Sequence, residues 1–228
     1  HIRQYEYWGR IRGKKVTVRS GGQGEQLTLP SFGENLRFFF RYQVGVMYLR
    51  YFMWDFAGRQ NDMKGNGNVM DGNWISGIPL VDKARLGDQS LMPYNYQNNP
   101  AKNKYFFLPL LIGLAGLVWQ YLRHRKGFSL VMLFFIMTGL AIVVYLNQYP
   151  SQPRERDYAY AGSFYAFTFW IGMGVMLLYD LFRKFLDERP AAIIPALVTL
   201  AAVPLLMIVQ NYDDHDRSDR YTARDIAA

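Results

Sequence analysis

Residues 147–160 read NQYPSQPRERDYAY, a short and charge-dense stretch between two long apolar runs. The runs cover residues 128–146 and 163–182, and each is about long enough to cross a bilayer as a helix, which takes about 20 apolar residues. The pattern therefore predicts a helical hairpin whose connection lies at a membrane surface. Four charged residues occupy that connection: Arg154, Glu155, Arg156 and Asp157.

Two further apolar runs, residues 105–122 and 191–209, extend the pattern to four predicted transmembrane helices within residues 105–209. Pro195 and Pro204 fall inside the last run. Because each proline removes a backbone donor, we expect that helix to bend. The fold class is thus mainly α and integral to a membrane.

Basic residues cluster after the first and third apolar runs, at positions 123–126 and 183–189. Cytoplasmic loops carry the excess of Lys and Arg, so both connections are predicted to be cytoplasmic. The segments predicted to share the opposite, outer face are residues 1–104, 147–162 and 210–228.

The net charge of +8 is concentrated at the front of the chain, since the first 104 residues hold 15 of the 26 Lys and Arg but 8 of the 18 Asp and Glu. A basic, aromatic-rich front joined to an apolar back indicates contact with anionic headgroups or phosphates. Nucleic acid is disfavoured, because the apolar half has no place in a soluble nucleic-acid binder. The chain has no cysteine, which excludes disulfides and thiolate metal sites.

Residues 31–58 predict a long helix, with Ser31 as its N-cap and Glu34 completing a capping box. Arg37, Arg41 and Arg50 interrupt its apolar surface, which is too much charge for an easy membrane span. We predict an interfacial amphipathic helix that lies along the membrane. A soluble core helix is the alternative.

The segments around this helix are polar. Residues 1–30 are basic, with a short strand predicted over residues 14–18 and a flexible turn at Ser20, Gly21, Gly22 and Gly24. Residues 59–104 are rich in Gly, Asn, Asp and Pro and predict a long functional loop. Its aromatic residues suit stacking on sugar rings, contact with a membrane interface or simple packing within the loop: Trp74, Tyr94 and Tyr96.

Arg154 and Arg156 are the candidate ligand contacts, because a guanidinium offers a phosphate paired donors and a permanent charge. Glu155 and Asp157 are candidates for orienting those arginines or an incoming hydroxyl. The alternative is two local ion pairs that merely close the hairpin, which contribute little where water reaches them.

A second polar run begins the segment 210–228: Asp213, Asp214, His215 and Asp216. Four successive donors cannot face one ion unless the backbone bends sharply, so helix capping is favoured over metal binding and no metal site is predicted. Farther on, Arg217, Arg220 and Arg224 alternate with acids at helical spacing, which predicts a solvated charged helix.

Several phrases together resemble a large family of polytopic membrane proteins of Bacteroidetes, long described only as a domain of unknown function. That family is related to a eukaryotic transmembrane protein O-mannosyltransferase and, more distantly, to membrane glycosyltransferases of the GT-C fold. The phrases are GRQND (58–62), GNWISG (72–77), NKYFFLP (103–109), TGLAIVVYLNQ (138–148), QPRERDYAYAGSFYA (152–166) and DDHDRSDRYTARD (213–225).

The resemblance implies an inner-membrane glycosyltransferase that moves a sugar from a polyprenyl-phosphate carrier to hydroxyls of exported proteins. It implies no cofactor beyond that lipid-linked donor. The family's catalytic acid lies in a first outer loop that nothing in this chain matches, so the chain is expected to be a fragment of a larger GT-C-like protein, and no catalytic residue is assigned. A non-enzymatic scaffold or secretion-machinery subunit is the alternative function.

Overall fold

A computed structural model of the chain describes residues 2–20, 23–65, 67–150 and 154–216. The fold is mainly helical, as predicted. Within these ranges three helices are long and apolar enough to cross a membrane: Arg125–Leu146, Asp157–Phe182 and Glu188–His215, of 22, 26 and 28 residues. They correspond to the second, third and fourth apolar runs and support a membrane protein.

The first apolar run forms a shorter helix, α6 (Leu108–Arg123), of 16 residues. At about 1.5 Å per residue it is roughly 24 Å long, below the approximately 30 Å of a bilayer core. Its start is delayed because Phe106 and Phe107 adopt left-handed backbone angles, with φ of 54° and 58°. A fourth span is therefore not confirmed.

The chain forms two compact units. The first unit contains His1–Met53 and Gln120–Phe169, and the second contains Trp54–Trp119 and Trp170–Ala228. Each unit thus combines an early segment of the chain with a late one. The division predicted at residues 30, 104 and 209 stays a prediction.

The first unit begins with a helix and a hairpin. Helix α1 (Ile2–Gly9) precedes strands β1 (Lys14–Ser20) and β2 (Gln23–Leu29), which pair antiparallel. The strand predicted over residues 14–18 is confirmed, but neither α1 nor β2 was predicted. The turn is narrower than expected, because Ser20 and Gly24 are both paired in the ladder, opposite Gln23 and Arg19. Gly21 and Gly22 lie outside the described residues.

The long helix predicted from residue 31 is present. It runs as α2 (Phe32–Phe38), a π-helical stretch (Phe39–Leu49) and α3 (Arg50–Phe56). The predicted capping box is confirmed: the Ser31 hydroxyl accepts from the Glu34 amide, and the Glu34 carboxylate accepts from the Ser31 amide. One face is buried in the first unit, including Tyr42, Tyr48 and Tyr51. Its interfacial position stays a prediction.

Glu34 also ties the start of this helix to the preceding hairpin, because its carboxylate accepts from the Arg12 amide at 2.6 Å. The hydrogen bonds from the Arg12 and Ser31 amides lower the pKa of Glu34. A carboxyl whose folded pKa is lowered contributes stability above its unfolded pKa, and that stability is lost as the pH falls through the folded value.

We therefore expect Glu34→Gln to melt at a lower temperature than the parent protein at neutral pH. The difference should close as the pH falls through the lowered pKa of Glu34, because the parent carboxyl is then neutral too. Thermal unfolding in detergent over a pH series measures this. A gap that is independent of pH would contradict a role for the charge.

In the second unit, residues 59–65 and 67–104 are ordered, where the sequence predicted only a loop. Short helices appear at α4 (Pro79–Leu86), Gln89–Leu91 (3₁₀) and α5 (Tyr94–Gln97). Before the first of these helices, buried amides replace regular structure: Gln60 donates to the Val69 carbonyl at 3.0 Å, and Asn61 to the Met70 carbonyl at 2.8 Å. Both side chains are fully buried, so backbone groups that lack a ladder partner are satisfied locally.

The remaining helices belong to the three spanning segments. Arg125–Leu146 comprises α7 (Arg125–Thr138) and α8 (Leu140–Leu146), and α9 is Ala161–Phe182. The last segment comprises α10 (Glu188–Leu200), a π-helical turn (Ala201–Leu205) and α11 (Leu206–His215). Pro204 lies in the π-helical turn, a local change of helix geometry of the kind that a missing backbone donor produces.

Candidate functional site

The charged connection after α8 is the candidate site, and the structure describes it at residues 147–150 and 154–160. Helix α8 ends at Asn147, whose left-handed backbone (φ 41°) closes the helix. Arg154 and Asp157 are exposed and Arg156 is half-buried. Asp157 opens a 3₁₀ turn, Asp157–Tyr160, that leads into α9. Residues 151–153 lie outside the described residues.

Glu155 points away from its arginine neighbours and into the first unit. Its carboxylate receives two hydrogen bonds from the Arg50 guanidinium, at 2.8 and 3.4 Å, and a third from the Tyr51 hydroxyl. The Arg50 and Glu155 side chains are only 8% and 22% exposed. This is a largely buried, bidentate pair, the stronger kind of ion pair in proteins.

Arg50 and Tyr51 are themselves held in place. The Arg50 Nε donates to the Val46 carbonyl at 3.0 Å, and its guanidinium stacks over the Tyr51 ring at 4.5 Å. The Tyr51 hydroxyl in turn accepts from the Arg156 backbone amide at 3.2 Å. The loop is thus fastened to α3 by the Glu155 carboxylate and by the Arg156 backbone amide.

The two predicted phosphate contacts form no ion pair within the described part of the chain. Glu155, the nearest acid in sequence to both, is paired with Arg50 instead. The hairpin is therefore closed by a long-range pair, and not by the two local pairs that the alternative interpretation required. Arg154 and Arg156 present their guanidiniums on an anchored backbone.

The π-helical stretch Phe39–Leu49, which leads into α3, also contacts the start of the connection. Tyr42 donates to the Tyr149 carbonyl at 3.3 Å, and the Gln43 amide donates to the Asn147 side chain at 2.9 Å. Burial raises the pKa of Tyr42 to about 12 and also raises that of Tyr51. Both phenols therefore stay protonated at neutral pH and act as donors.

Two buried polar side chains, one near each end of this connection, have no hydrogen-bond partner among the described residues. They are Gln148, 2% exposed, and Tyr160, 0% exposed. An unsatisfied buried polar group costs about 1–3 kcal/mol, so both positions suit an ordered water or a polar ligand group. Sequence reasoning missed them because only the fold decides that they are buried.

The acidic run near the end of the second unit lies largely on the last helix and contributes an ion pair. Asp213, Asp214 and His215 belong to α11, and Asp214 pairs with Arg59 at 2.8 Å. Over the described ranges no group of three metal-ligating side chains forms. The arginines predicted to follow at helical spacing, from Arg217 onward, lie outside those ranges.

No family model, curated protein or solved structure matches this chain. Function is therefore inferred from the chemistry of the residues.

The aromatic side chains of the segment 59–104 differ in how exposed they are. Trp74 is half-buried, with the Arg85 guanidinium 3.5 Å from its ring centroid and Phe107 at 5.9 Å. One face of its ring is therefore already stacked. Tyr94 is 78% exposed, which leaves it open for the sugar or membrane contact that the sequence suggested.

Proposed function

We propose that this chain is part of an inner-membrane glycosyltransferase that transfers a sugar from a polyprenyl-phosphate carrier to hydroxyls of exported proteins. In this proposal Arg154 and Arg156 contact the carrier phosphate. The observation that carries it is a pair of guanidiniums that form no ion pair among the described residues, on a loop that is fastened by the buried Arg50–Glu155 pair.

The position of the loop supports a lipid phosphate as its ligand. The loop follows an apolar helix of 22 residues and precedes one of 26. The ends of such helices lie near the headgroup region, where lipid phosphates are found. Because Arg50 compensates Glu155, the charge of Arg154 and Arg156 is opposed within the loop only by Asp157.

Preorganisation supports a role in transfer as well as in binding. Departure of the carrier phosphate develops negative charge, and donors fixed before the reaction stabilise that charge most effectively. The hydrogen bond from the Arg156 amide to Tyr51 holds the backbone beside that guanidinium. Glu155 is a positioning residue in this scheme, and exposed Asp157 is the acid left to orient an arginine or an acceptor hydroxyl.

The finer topology belongs to the same proposal. It places residues 1–104, 147–162 and 210–228 on the periplasmic side, α6 as a fourth membrane helix, and the partners as membrane lipids, the lipid-linked sugar and exported acceptor proteins. The carboxylate that would act as general base is not assigned to a residue of this chain.

We expect Arg154→Ala with Arg156→Ala to reduce hydroxyl-linked glycans on periplasmic proteins by at least about tenfold, because each charge-assisted contact contributes about 1.5–3 kcal/mol. Mass spectrometry of cells at matched expression measures this. Glycan levels with Arg154→Lys and Arg156→Lys should lie between those of the parent and of the alanine variant, since lysine keeps the charge but loses the paired donors.

A charge-matched control is Arg183→Ala with Lys184→Ala, which removes two exposed cations near the opposite end of α9. Glycosylation should be unchanged in this variant. Unchanged glycans in the Arg154 and Arg156 variant would contradict the proposal, and loss of partner proteins from that variant would then favour the scaffold function.

A further inference from the structure

The second unit contains a cavity that the proposed function does not use. It has a volume of about 470 Å³ and lies within residues 75–104. Its size falls in the range of roughly 300–1,000 Å³ that is typical of small-molecule sites. Its lining includes three lysines and two aspartates: Lys83, Lys102, Lys104, Asp82 and Asp88.

Both aspartates are already satisfied. The Asp82 carboxylate accepts from the Ser76 amide at 2.8 Å, the Ser76 hydroxyl at 3.0 Å and the Gly77 amide at 2.8 Å. Asp88 pairs with Lys83 at 3.0 Å and accepts from the Ser90 hydroxyl at 2.7 Å. The charge of Lys83 is therefore compensated inside the cavity wall.

Lys102 and Lys104 are not compensated in this way. The Lys102 ammonium donates only to the neutral Gln97 carbonyl, at 3.3 Å, and the Lys104 ammonium has no hydrogen-bond partner among the described residues. Both side chains are half-buried. Burial, and then the charge of Lys104, lower the pKa of Lys102, and the Asp82 carboxylate opposes part of that shift. Two cations thus repel each other at one cavity wall, which an anion between them would relieve.

The rest of the lining suits hydroxyl groups. Among the described residues, the Asn98 and Gln89 side chains donate to backbone carbonyls only through long hydrogen bonds of 3.4 Å, while Gln89 Oε1 accepts from the Gln60 amide at 2.8 Å. Such weak bonds are easily exchanged for bonds to a ligand hydroxyl. Ser90 also lines the cavity, with its hydroxyl bonded to Asp88.

We propose that this cavity binds a sugar phosphate, with Lys102 and Lys104 on the phosphate and the amides of Gln89 and Asn98 on the sugar hydroxyls. The same chemistry is offered by a soluble sugar phosphate and by a lipid whose headgroup is a ring with hydroxyls and a phosphodiester. The inference does not rest on the proposed transferase function, because Arg154 and Arg156 take no part in it.

Calorimetric titration of the full chain tests the proposal. Glucose 6-phosphate is titrated into the protein in detergent micelles, and the protein is separately titrated with phosphatidylinositol nanodiscs against phosphatidylcholine nanodiscs. Binding of glucose 6-phosphate identifies a soluble ligand, and binding of phosphatidylinositol identifies a lipid one. Glucose itself should not bind measurably. Binding of neither phosphate probe would overturn the proposal.

Lys102→Gln with Lys104→Gln should weaken the binding of the active probe by about 10- to 100-fold, the loss expected for contacts to a charged group. Lys14→Gln with Lys15→Gln removes two exposed lysines of β1 and should change the binding of the probe by less than about twofold. Arg154→Ala with Arg156→Ala should leave the binding of glucose 6-phosphate unchanged, which separates this cavity from the proposed transferase site.

Rescue keeps the test decisive if the glutamine variant unfolds. Lys102→Arg with Lys104→Arg retains both charges and should restore binding to within about threefold of the parent protein. Equal binding by the parent and a folded glutamine variant would overturn the proposal. Inorganic phosphate that binds as tightly as glucose 6-phosphate would overturn the assignment of the sugar contacts.

Discussion

Replacing Arg50 with alanine is expected to lower the free energy of unfolding by about 2–4 kcal/mol. Removing one partner of a fully buried ion pair costs about 3–5 kcal/mol, because the other charge is left buried without compensation. The lower figure applies here since the Glu155 side chain keeps 22% of its exposure and Tyr51 still donates to it. Denaturant unfolding in detergent micelles measures the change.

Two variants give this measurement its controls. Arg37→Ala removes an arginine from the same helix that makes one long hydrogen bond, to the Gly9 carbonyl at 3.3 Å, and should cost no more than about 1 kcal/mol. Arg50→Met with Glu155→Gln removes both charges and should recover most of the loss. Equal costs for Arg50→Ala and Arg37→Ala would contradict the importance of the buried pair.

The Arg50→Ala variant also links stability to the proposed function. If Glu155 positions the loop, Arg50→Ala should reduce glycan transfer even under conditions in which the protein remains folded, although Arg154 and Arg156 are intact. Full transfer by folded Arg50→Ala protein would show that the loop does not need this anchor.

A second large effect is expected where helix α6 meets α9 in the second unit. A Cβ atom at Gly116 would overlap the Trp170 carbonyl oxygen, and one at Gly174 would overlap the Ile112 carbonyl oxygen and lie 2.6 Å from Ile112 Cγ2. The two backbones touch, as small residues permit in membrane helix pairs. Because the obstacle is backbone, a rotamer change cannot relieve it.

We therefore expect Gly174→Ala to destabilise the protein by about 1–3 kcal/mol, the usual cost of overpacking. Gly172→Ala, on the same helix, is the matched control, since a Cβ at Gly172 would meet nothing within 4 Å apart from the backbone of its own helix. There, alanine should stabilise the helix by about 0.5–1 kcal/mol through its better helix propensity. Unfolding of both variants in detergent measures the change in the free energy of unfolding. A change of the same sign in both variants would refute close contact at Gly174.

Much of the helical framework was predictable because it depends on local pattern. The apolar runs at residues 128–146, 163–182 and 191–209 each correspond to a helix of spanning length. The capping box at Ser31 and Glu34 was also read correctly, since its hydrogen bonds join residues three apart. Such features are encoded within one or two helical turns.

Other elements were missed because their cause is not local. Strand β2 has weak strand character of its own and is defined by its pairing with β1. The late start of α6 follows from left-handed residues at Phe106 and Phe107, where the Phe106 amide donates to the Ser76 carbonyl at 2.9 Å. The order in residues 59–104 comes from buried amides such as Gln60, whose burial no periodicity reveals.

The sequence by itself determined that this is a helical protein with membrane-length apolar segments and a charged connection between two of them. Tertiary structure alone decided which acid is neutralised, because Arg50 and Glu155 are 105 residues apart. It also decided which lysines share a cavity. Apolar periodicity is a property of neighbouring residues, whereas a pairing of charges depends on which distant backbones the folded core brings together.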